Sequence, residues 1–285
     1  MTKLLRANML RLVKSATFWI CMSLYTLYPI IVALIEKDTL EPITSDRMLS
    51  LNYGIEWFPM QGALIAIVCC IIFSADFHNG TLKNKIIIGQ PKTNIYLANL
   101  LTIGVASLAL SVIYIIIFFA VGMPILGKFT SSASTIIWML VNGALMLMTY
   151  SAVMTLIVML SKNSTAAVII SLVVLTCGAL IAFAAHYYTN NISPFIKDFM
   201  RDEFGNLMRD EFGDVLLTDV PNPYYPSKAI RDFCQFLLDF FPSGQSAQIS
   251  SGEYSHTWQM ALSSLGLTAA TSGIGIAVFK KSNIK

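Results

Sequence analysis

The sequence predicts an all-α integral membrane protein with six transmembrane helices and with both ends of the chain in the cytoplasm. Of its 285 residues, 55% are hydrophobic and only 12% are charged, about half the charged fraction of a soluble domain. Six apolar segments are long enough to cross a bilayer. Basic residues gather in the connections on one side of them, which indicates the orientation.

The six predicted spans contain no Asp, Glu, Lys or Arg, and each has roughly the 20 residues that cross about 30 Å of hydrocarbon. They cover residues 16–35, 57–75, about 95–121, 136–160, 165–187 and 258–279. The first run lacks a small-residue cleavage site, so we expect an uncleaved helix here and not a secretory signal. Residues with a small side chain recur at four-residue spacing, as at Gly62 and Ala66 or Gly266 and Ala270, and this spacing predicts close helix contacts.

Charge placement orients these spans. If the chain starts inside, then eleven of the nineteen Lys and Arg residues lie in the cytoplasm, with one of the sixteen acidic residues, Asp76. Lys and Arg are retained on the cytoplasmic side during insertion. The distribution therefore predicts an N-in, C-in topology.

Residues 1–14, before the first span, are amphipathic. Lys3 and Arg6 fall on one side of a helical wheel, while Leu5, Met9 and Leu12 fall on the other. The pattern predicts an interfacial helix that turns its cations toward anionic membrane lipid. The alternative is a simple anchor whose charges only set the topology.

The second inner loop, residues 76–93, combines helical and turn signals. Asn79 and Gly80 predict a turn, and Thr81 is expected to cap a helix that carries two lysines and four apolar residues over 82–88. Gly89, with a proline close behind, ends it. Such a helix, parallel to the membrane, suits a groove on a cytoplasmic partner. The alternative is a solvated loop whose lysines only set topology.

Together these features resemble the permease subunits of ABC-2 type ABC transporters, including bacitracin-resistance and lantibiotic-immunity exporters. The resemblance covers the whole chain and is strongest in the inner loop: an acidic residue, Gly-Thr, a basic helix, Gly and a further basic residue. In that family this loop contains the coupling helix that docks on the ATPase subunit. The resemblance implies ATPase-coupling roles for Asp76, Gly80, Thr81, Leu82, Lys83, Lys85, Gly89 and Lys92, although arginine is common where Lys92 stands.

The chain lacks a phosphate-binding loop. The nearest fragment, residues 89–93, has one glycine too few and places proline before lysine. We therefore expect no enzyme activity, cofactor or metal in this chain, with ATP and Mg²⁺ bound by a separate subunit. The resemblance implies two cytoplasmic ABC ATPase subunits and a second permease, either another copy or a related chain.

Other classes of function fit less well. The spans contain no acidic or basic relay of the kind that ion-coupled transport needs, and no basic run interleaved with aromatics predicts nucleic-acid binding. Two alternatives stay open: an ATP-independent secondary transporter or channel, and a non-transporting membrane sensor or scaffold. The charge-free spans suit a hydrophobic or amphipathic cargo, and the resemblance makes a peptide antibiotic, exported across a bacterial plasma membrane for resistance or immunity, our first expectation.

The last outer loop, residues 189–257, is predicted to form an extracellular cap with a net charge of −5. Met200, Met208 and Leu216 belong to a series of apolar residues at four-residue spacing, which predicts an amphipathic helix over 195–217. Two glycines within the segment weaken this prediction. A second helix between Pro226 and Pro242 has one polar stripe. It is expected to be mostly buried, either in the outer leaflet of the membrane or against the partner permease.

Permeases of the family carry short external or re-entrant helices at this point, near the extracellular gate. We hypothesise that this second helix forms the gate in the present chain. The gate candidates are Phe233, Phe236, Leu237, Phe240 and Phe241.

Overall fold

The computed structural model describes residues 1–37, 39, 43–55, 58–161, 163–200, 207–208, 215–252 and 256–282. The helices are α1 (Thr2–Lys14), α2 (Ala16–Glu36), α3 (Ser45–Ser50), α4 (Met60–His78), α5 (Thr81–Ile87), α6 (Lys92–Ile117), α7 (Met123–Leu126), α8 (Ala133–Ser161), α9 (Ser164–His186), α10 (Lys228–Phe240), α11 (Pro242–Ser251) and α12 (Thr257–Lys281). Two strands, β1 (Phe195–Phe199) and β2 (Leu217–Pro221), lie between α9 and α10.

Among the described residues, five helices are long and apolar enough to cross a bilayer. They are α2, α8, α12 and two extended ones, since π-helical turns prolong α6 through α7 to Leu126 and α9 to Asn191. The remaining predicted span, residues 57–75, corresponds to α4, whose apolar stretch, Met60–Phe73, is shorter. Trp57, where we placed its start, lies outside the described residues. The prediction of an all-α integral membrane protein with about six spans is confirmed.

Helix α8 is the centre of the bundle, packed against α4, α6, α9 and α12. Its most apolar window is 61% buried, whereas that of α12 is only 17% buried. Gly62 of α4 approaches Tyr150 and Leu175 closely, as its small size predicts. By contrast, a Cβ atom on Gly266 or Gly273 of α12 would meet nothing within 4 Å, so these glycines make no close contact with the described part of the chain.

Several polar side chains inside the bundle form hydrogen bonds between helices. The Tyr25 hydroxyl donates to the Asn52 carbonyl oxygen, the Asn52 amide donates to Ser111 at 2.7 Å, and Gln61 donates to the Ser107 carbonyl at 2.9 Å. Unpaired polar groups are costly where water is excluded, so each bond favours one arrangement of the helices. These bonds join α2, α4 and α6 and fix the chain that follows α3.

The outer loop differs from the expected helix over 195–217. Strands β1 and β2 pair antiparallel, from Phe195 opposite Pro221 to Phe199 opposite Leu217. The helix prediction is therefore wrong at both ends of this segment. Between them the sequence MRDEFG occurs twice, at 200–205 and 208–213, and most of these residues lie outside the described ones. Each glycine within a helix costs about 1 kcal/mol relative to alanine, whereas the hairpin satisfies the backbone groups of both ends.

Candidate functional site

The short helix α5, which follows α4, is bounded by two glycines with positive φ, Gly80 at 66° and Gly89 at 85°. Glycine adopts this conformation without a Cβ clash, so both ends of the helix are set by local sequence. Gly80 itself is the N-cap, and Thr81 is the first helical residue. The prediction that Thr81 caps the helix is wrong; its hydroxyl donates instead to the Asp76 carboxylate at 2.5 Å.

Asp76 lies near the C-terminal end of α4 and joins this helix to α1 and α5. Its side chain is 1% exposed and lies between Arg11 of α1, Thr81 at the start of α5, and Lys85, whose Nζ is 2.7 Å from the carboxylate. Burial alone would raise the pKa of Asp76. The Lys85 charge and the hydrogen bonds from Lys85, Thr81 and Arg11 outweigh it, so the pKa lies below its ordinary value of 3.8.

Leu82 and Lys92 also have structural partners. Leu82 is buried in an apolar cluster with Leu4 of α1 and with Ile95 and Tyr96 of α6. Lys92 donates from Nζ to the carbonyl oxygens of Lys280 and Ser282, at 3.1 and 2.7 Å. One face of α5 is therefore held against α1 and α6, while Lys92 ties α6 to the end of α12.

The opposite side of α5 is exposed. Ile87 and Ile88 are 80% and 77% exposed, and Lys83 is exposed beside them. We call Lys83, Ile87 and Ile88 the coupling face. Two such isoleucines beside a cation are typical of a surface that another protein covers. Ile87 and Ile88 were not among the predicted site residues. The signal was present in the sequence, because three consecutive isoleucines, Ile86–Ile88, cannot all lie on one buried face of a helix.

The gate candidates lie on α10 and at its junction with α11. Phe233 and Phe236 are 60% and 54% exposed, Phe236 stacks on Phe240 with ring centroids 5.4 Å apart, and Phe240 meets Phe241 edge-on at 5.3 Å. Leu237 is partly buried beside Leu238. The inner face of α10 meets α9 and α12, while its phenylalanine face has no covering element among the described residues. Burial of that face in lipid or against a second permease stays a prediction.

Helix α11 packs on α8, α9 and α3 inside the bundle, although we assigned its residues to the extracellular cap. All residues from Pro242 to Ser250 are buried. Ser243 touches Gly178 of α9, which lies roughly 12 Å below the outer end of that helix at 1.5 Å per residue. The segment is therefore buried inside the bundle beside α9, which is the arrangement of a re-entrant helix.

A buried carboxylate at the end of α10 holds this arrangement. Asp239 accepts hydrogen bonds from Gln235 at 2.9 Å and from Gln248 of α11 at 3.0 Å, and lies 3.0 Å from the ring of His256. These partners link α10, α11 and the start of α12. The sequence analysis assigned none of them a role.

An apolar cavity of about 330 Å³ lies beneath the junction of α10 and α11. Helix α8 contributes Val153, α9 contributes Leu175 and Cys177, and α12 contributes Leu267 to its wall. Phe241, a gate candidate, also borders it. Its volume is within the range of small-molecule pockets, so the outer helices adjoin a space that an apolar group can enter.

These features describe a multi-pass membrane protein with an exposed apolar pair on α5 and a buried helix, α11, between α10 and α12. The model of a family described as ABC-2 family transporter protein matches residues 4–178. The chain therefore belongs to the ABC-2 family of transporter membrane proteins, the membrane component and not itself catalytic. The matched segment includes α1 to α8, among them the coupling face. A search of curated proteins found no match.

Proposed function

We propose that this chain is the membrane-spanning permease subunit of an ATP-driven exporter and that separate ABC ATPase subunits dock on its coupling face. The exposure of Ile87 and Ile88 on a helix otherwise held firmly in place supports this proposal most directly. The other half of the pathway is a second copy or a related permease. The proposed cargo is hydrophobic or amphipathic, in the first instance a peptide antibiotic leaving a bacterial plasma membrane.

The contacts of α5 suit it to transmit motion. Asp76 belongs to α4 and bonds residues of α1 and α5, and Leu82 packs against α6. A push on the coupling face therefore reaches three other helices through buried contacts. Packed helices that move together can carry a ligand-driven conformational change to a distant site.

Changing Ile87 and Ile88 together to asparagine is expected to abolish co-purification of the ATPase subunit and ATP-driven transport. The pair is exposed, so the change costs the isolated permease little stability, whereas the interface loses its apolar centre. Pull-down from membranes in mild detergent, followed by mass spectrometry and an ATPase assay, measures the loss.

Val13→Asn provides the control, because Val13 is an exposed apolar residue of the cytoplasmic helix α1. It should leave ATPase binding intact. Lys85→Glu is a poor probe of docking, since Lys85 bonds Asp76 internally, whereas Lys83→Glu changes the coupling face alone. Retention of the ATPase by the double asparagine variant would contradict the docking proposal and favour the channel or scaffold alternative.

We further propose that α10 forms the extracellular gate of this exporter. The stacked Phe236 and Phe240 continue through Phe241 to the apolar cavity. A rotation of α10 would therefore move the wall of the cavity. Asp239 and its partners would be the pivot, because they hold one end of the helix.

Replacing Phe236 and Phe240 with serine is expected to reduce export several-fold while ATPase binding and assembly stay unchanged. Both rings are at least partly exposed, so their removal should cost the fold little stability. The exported cargo, by contrast, would lose an aromatic contact. ATP-driven uptake of amphipathic peptides into inverted membrane vesicles, which corresponds to export from the cell, measures the effect. Tyr224→Ser, at an exposed site before α10, is the control, and unchanged export in the double variant would reject the gate.

A further inference from the structure

A groove lies where the amphipathic helix α1 turns into the first span. Its volume is about 470 Å³, and α4 closes its far side. The lining residues are Leu10, Arg11, Lys14, Ser15, Ile71 and Ile72. Cations and a hydroxyl thus lie at one end and branched apolar side chains at the other.

The turn that shapes the groove is held at the cytoplasmic boundary of the membrane. Ser15 separates α1 from α2 in an extended conformation, and its hydroxyl oxygen faces the amide of Phe18. The indole of Trp19 donates to the Val13 carbonyl at 2.6 Å across the turn. Tryptophan concentrates at membrane interfaces, so the groove lies at the level of the lipid headgroups.

The charges around the groove leave a positive surplus. Lys14 is exposed and forms no ion pair with a described residue. Arg11 bonds Asp76 through one of its five N–H donors, and Asp76 also faces Lys85. One carboxylate therefore balances two cations, Arg11 and Lys85, and Lys14 adds a further positive charge beside them. Leu10 and Ile71, both exposed, extend the groove along the side of the bundle.

We propose that this groove binds the headgroup of one anionic phospholipid of the cytoplasmic leaflet. The phosphate lies between Arg11 and Lys14, within reach of the Ser15 hydroxyl, and an acyl chain follows Leu10, Ile71 and Ile72. Guanidinium and ammonium groups are the usual ligands of phosphate. A free phosphate has the same charge chemistry but gains nothing from the apolar end of the groove.

The bound lipid touches the machinery that holds α5. Arg11 is shared between the phosphate and Asp76, and Asp76 bonds Thr81 and Lys85 of α5. The lipid therefore completes the charge balance of the cluster that positions the coupling face. The proposal of a lipid site rests on the orientation of the chain in the membrane. It does not require a particular cargo or a particular ATPase.

The test is native mass spectrometry of the full chain in detergent, titrated with phosphatidylglycerol or with phosphatidylcholine. Each basic residue near an anionic surface contributes about 1 kcal/mol, so Lys14→Gln is expected to weaken the first phosphatidylglycerol site about fivefold. Lys3→Gln removes an exposed charge of the same helix outside the groove and should leave this site unchanged. Phosphatidylcholine should bind the wild-type site more weakly.

Two further measurements distinguish a specific lipid site from non-specific electrostatic attraction between the helix and anionic lipid. Ile71→Asn should weaken phosphatidylglycerol binding without altering net charge, and glycerol phosphate at the same concentration should not displace the lipid. Equal weakening by Lys3→Gln and Lys14→Gln, or displacement by glycerol phosphate, would overturn the proposal. Circular dichroism of each variant checks that the helices are retained.

Discussion

Changing Asp76 to asparagine is expected to loosen the coupling helix and to abolish ATPase-driven transport. The change leaves Arg11 and Lys85 without their shared anion, and Lys85 is only 15% exposed. Breaking a buried ion pair on one side costs about 3–5 kcal/mol; because Arg11 can turn to water, we expect about 3 kcal/mol here. Thermal unfolding of the purified chain and co-purification of the ATPase measure the two effects.

Asp46→Asn supplies the matched control for this experiment. Asp46 accepts hydrogen bonds from Thr130 and Ser131 at the outer side of the bundle, and these bonds hold its pKa below the ordinary value although burial raises it. Its loss removes the same charge far from α5. We expect a small stability change and normal ATPase binding. If both variants lost the ATPase equally, Asp76 would have no special part in coupling.

The pH dependence of the Asp76 effect has a definite sign. The folded-state pKa of Asp76 is lowered below 3.8, so the folded state holds the carboxylate more firmly in its ionised form than the unfolded chain does. The resulting stability is present above about pH 4 and is lost as pH falls through the folded-state pKa. The difference in unfolding free energy between wild type and Asp76→Asn should therefore be constant from about pH 8 to about pH 5.

The sequence was informative where the signal is local. Apolar runs of bilayer length predicted the spans, and the glycines at 80 and 89 predicted both ends of α5, because glycine is favoured where φ is positive. The residues assigned to coupling divide in the structure into two groups. Asp76, Leu82 and Lys85 hold the helix from within, and Lys83 is exposed.

The sequence was uninformative where a partner distant in the chain decides the outcome. Arg11 and Asp76 are 65 residues apart, and no pattern near either one marks the pair. Residues 242–251 were assigned only to the extracellular cap, because no local pattern marks their serines and glutamines as buried. Inside the bundle they are satisfied instead by backbone and side-chain partners, such as the carbonyl of Tyr53 for Ser246 and that of Met260 for Gln245.

Gly244→Ala is expected to expel or distort the re-entrant helix α11. A Cβ atom at this position would lie 2.5 Å from both the Cα and the carbonyl oxygen of Leu238. These are backbone atoms of α10, so no side-chain rotation relieves the overlap. Overpacking typically costs about 1–3 kcal/mol and more where the surroundings cannot move, so we expect a loss in the upper part of that range.

The clash would also separate α10 from α11 at the point where Asp239 bonds Gln248, and the opening would reach the apolar cavity below. Export should therefore fall together with thermal stability, while docking of the ATPase on the distant coupling face is retained. Gly266→Ala is the matched control, because a Cβ there meets nothing within 4 Å and alanine favours the helix by up to about 1 kcal/mol. Equal melting temperatures for the two variants would show that α10 and α11 do not pack as closely as Leu238 and Gly244 require.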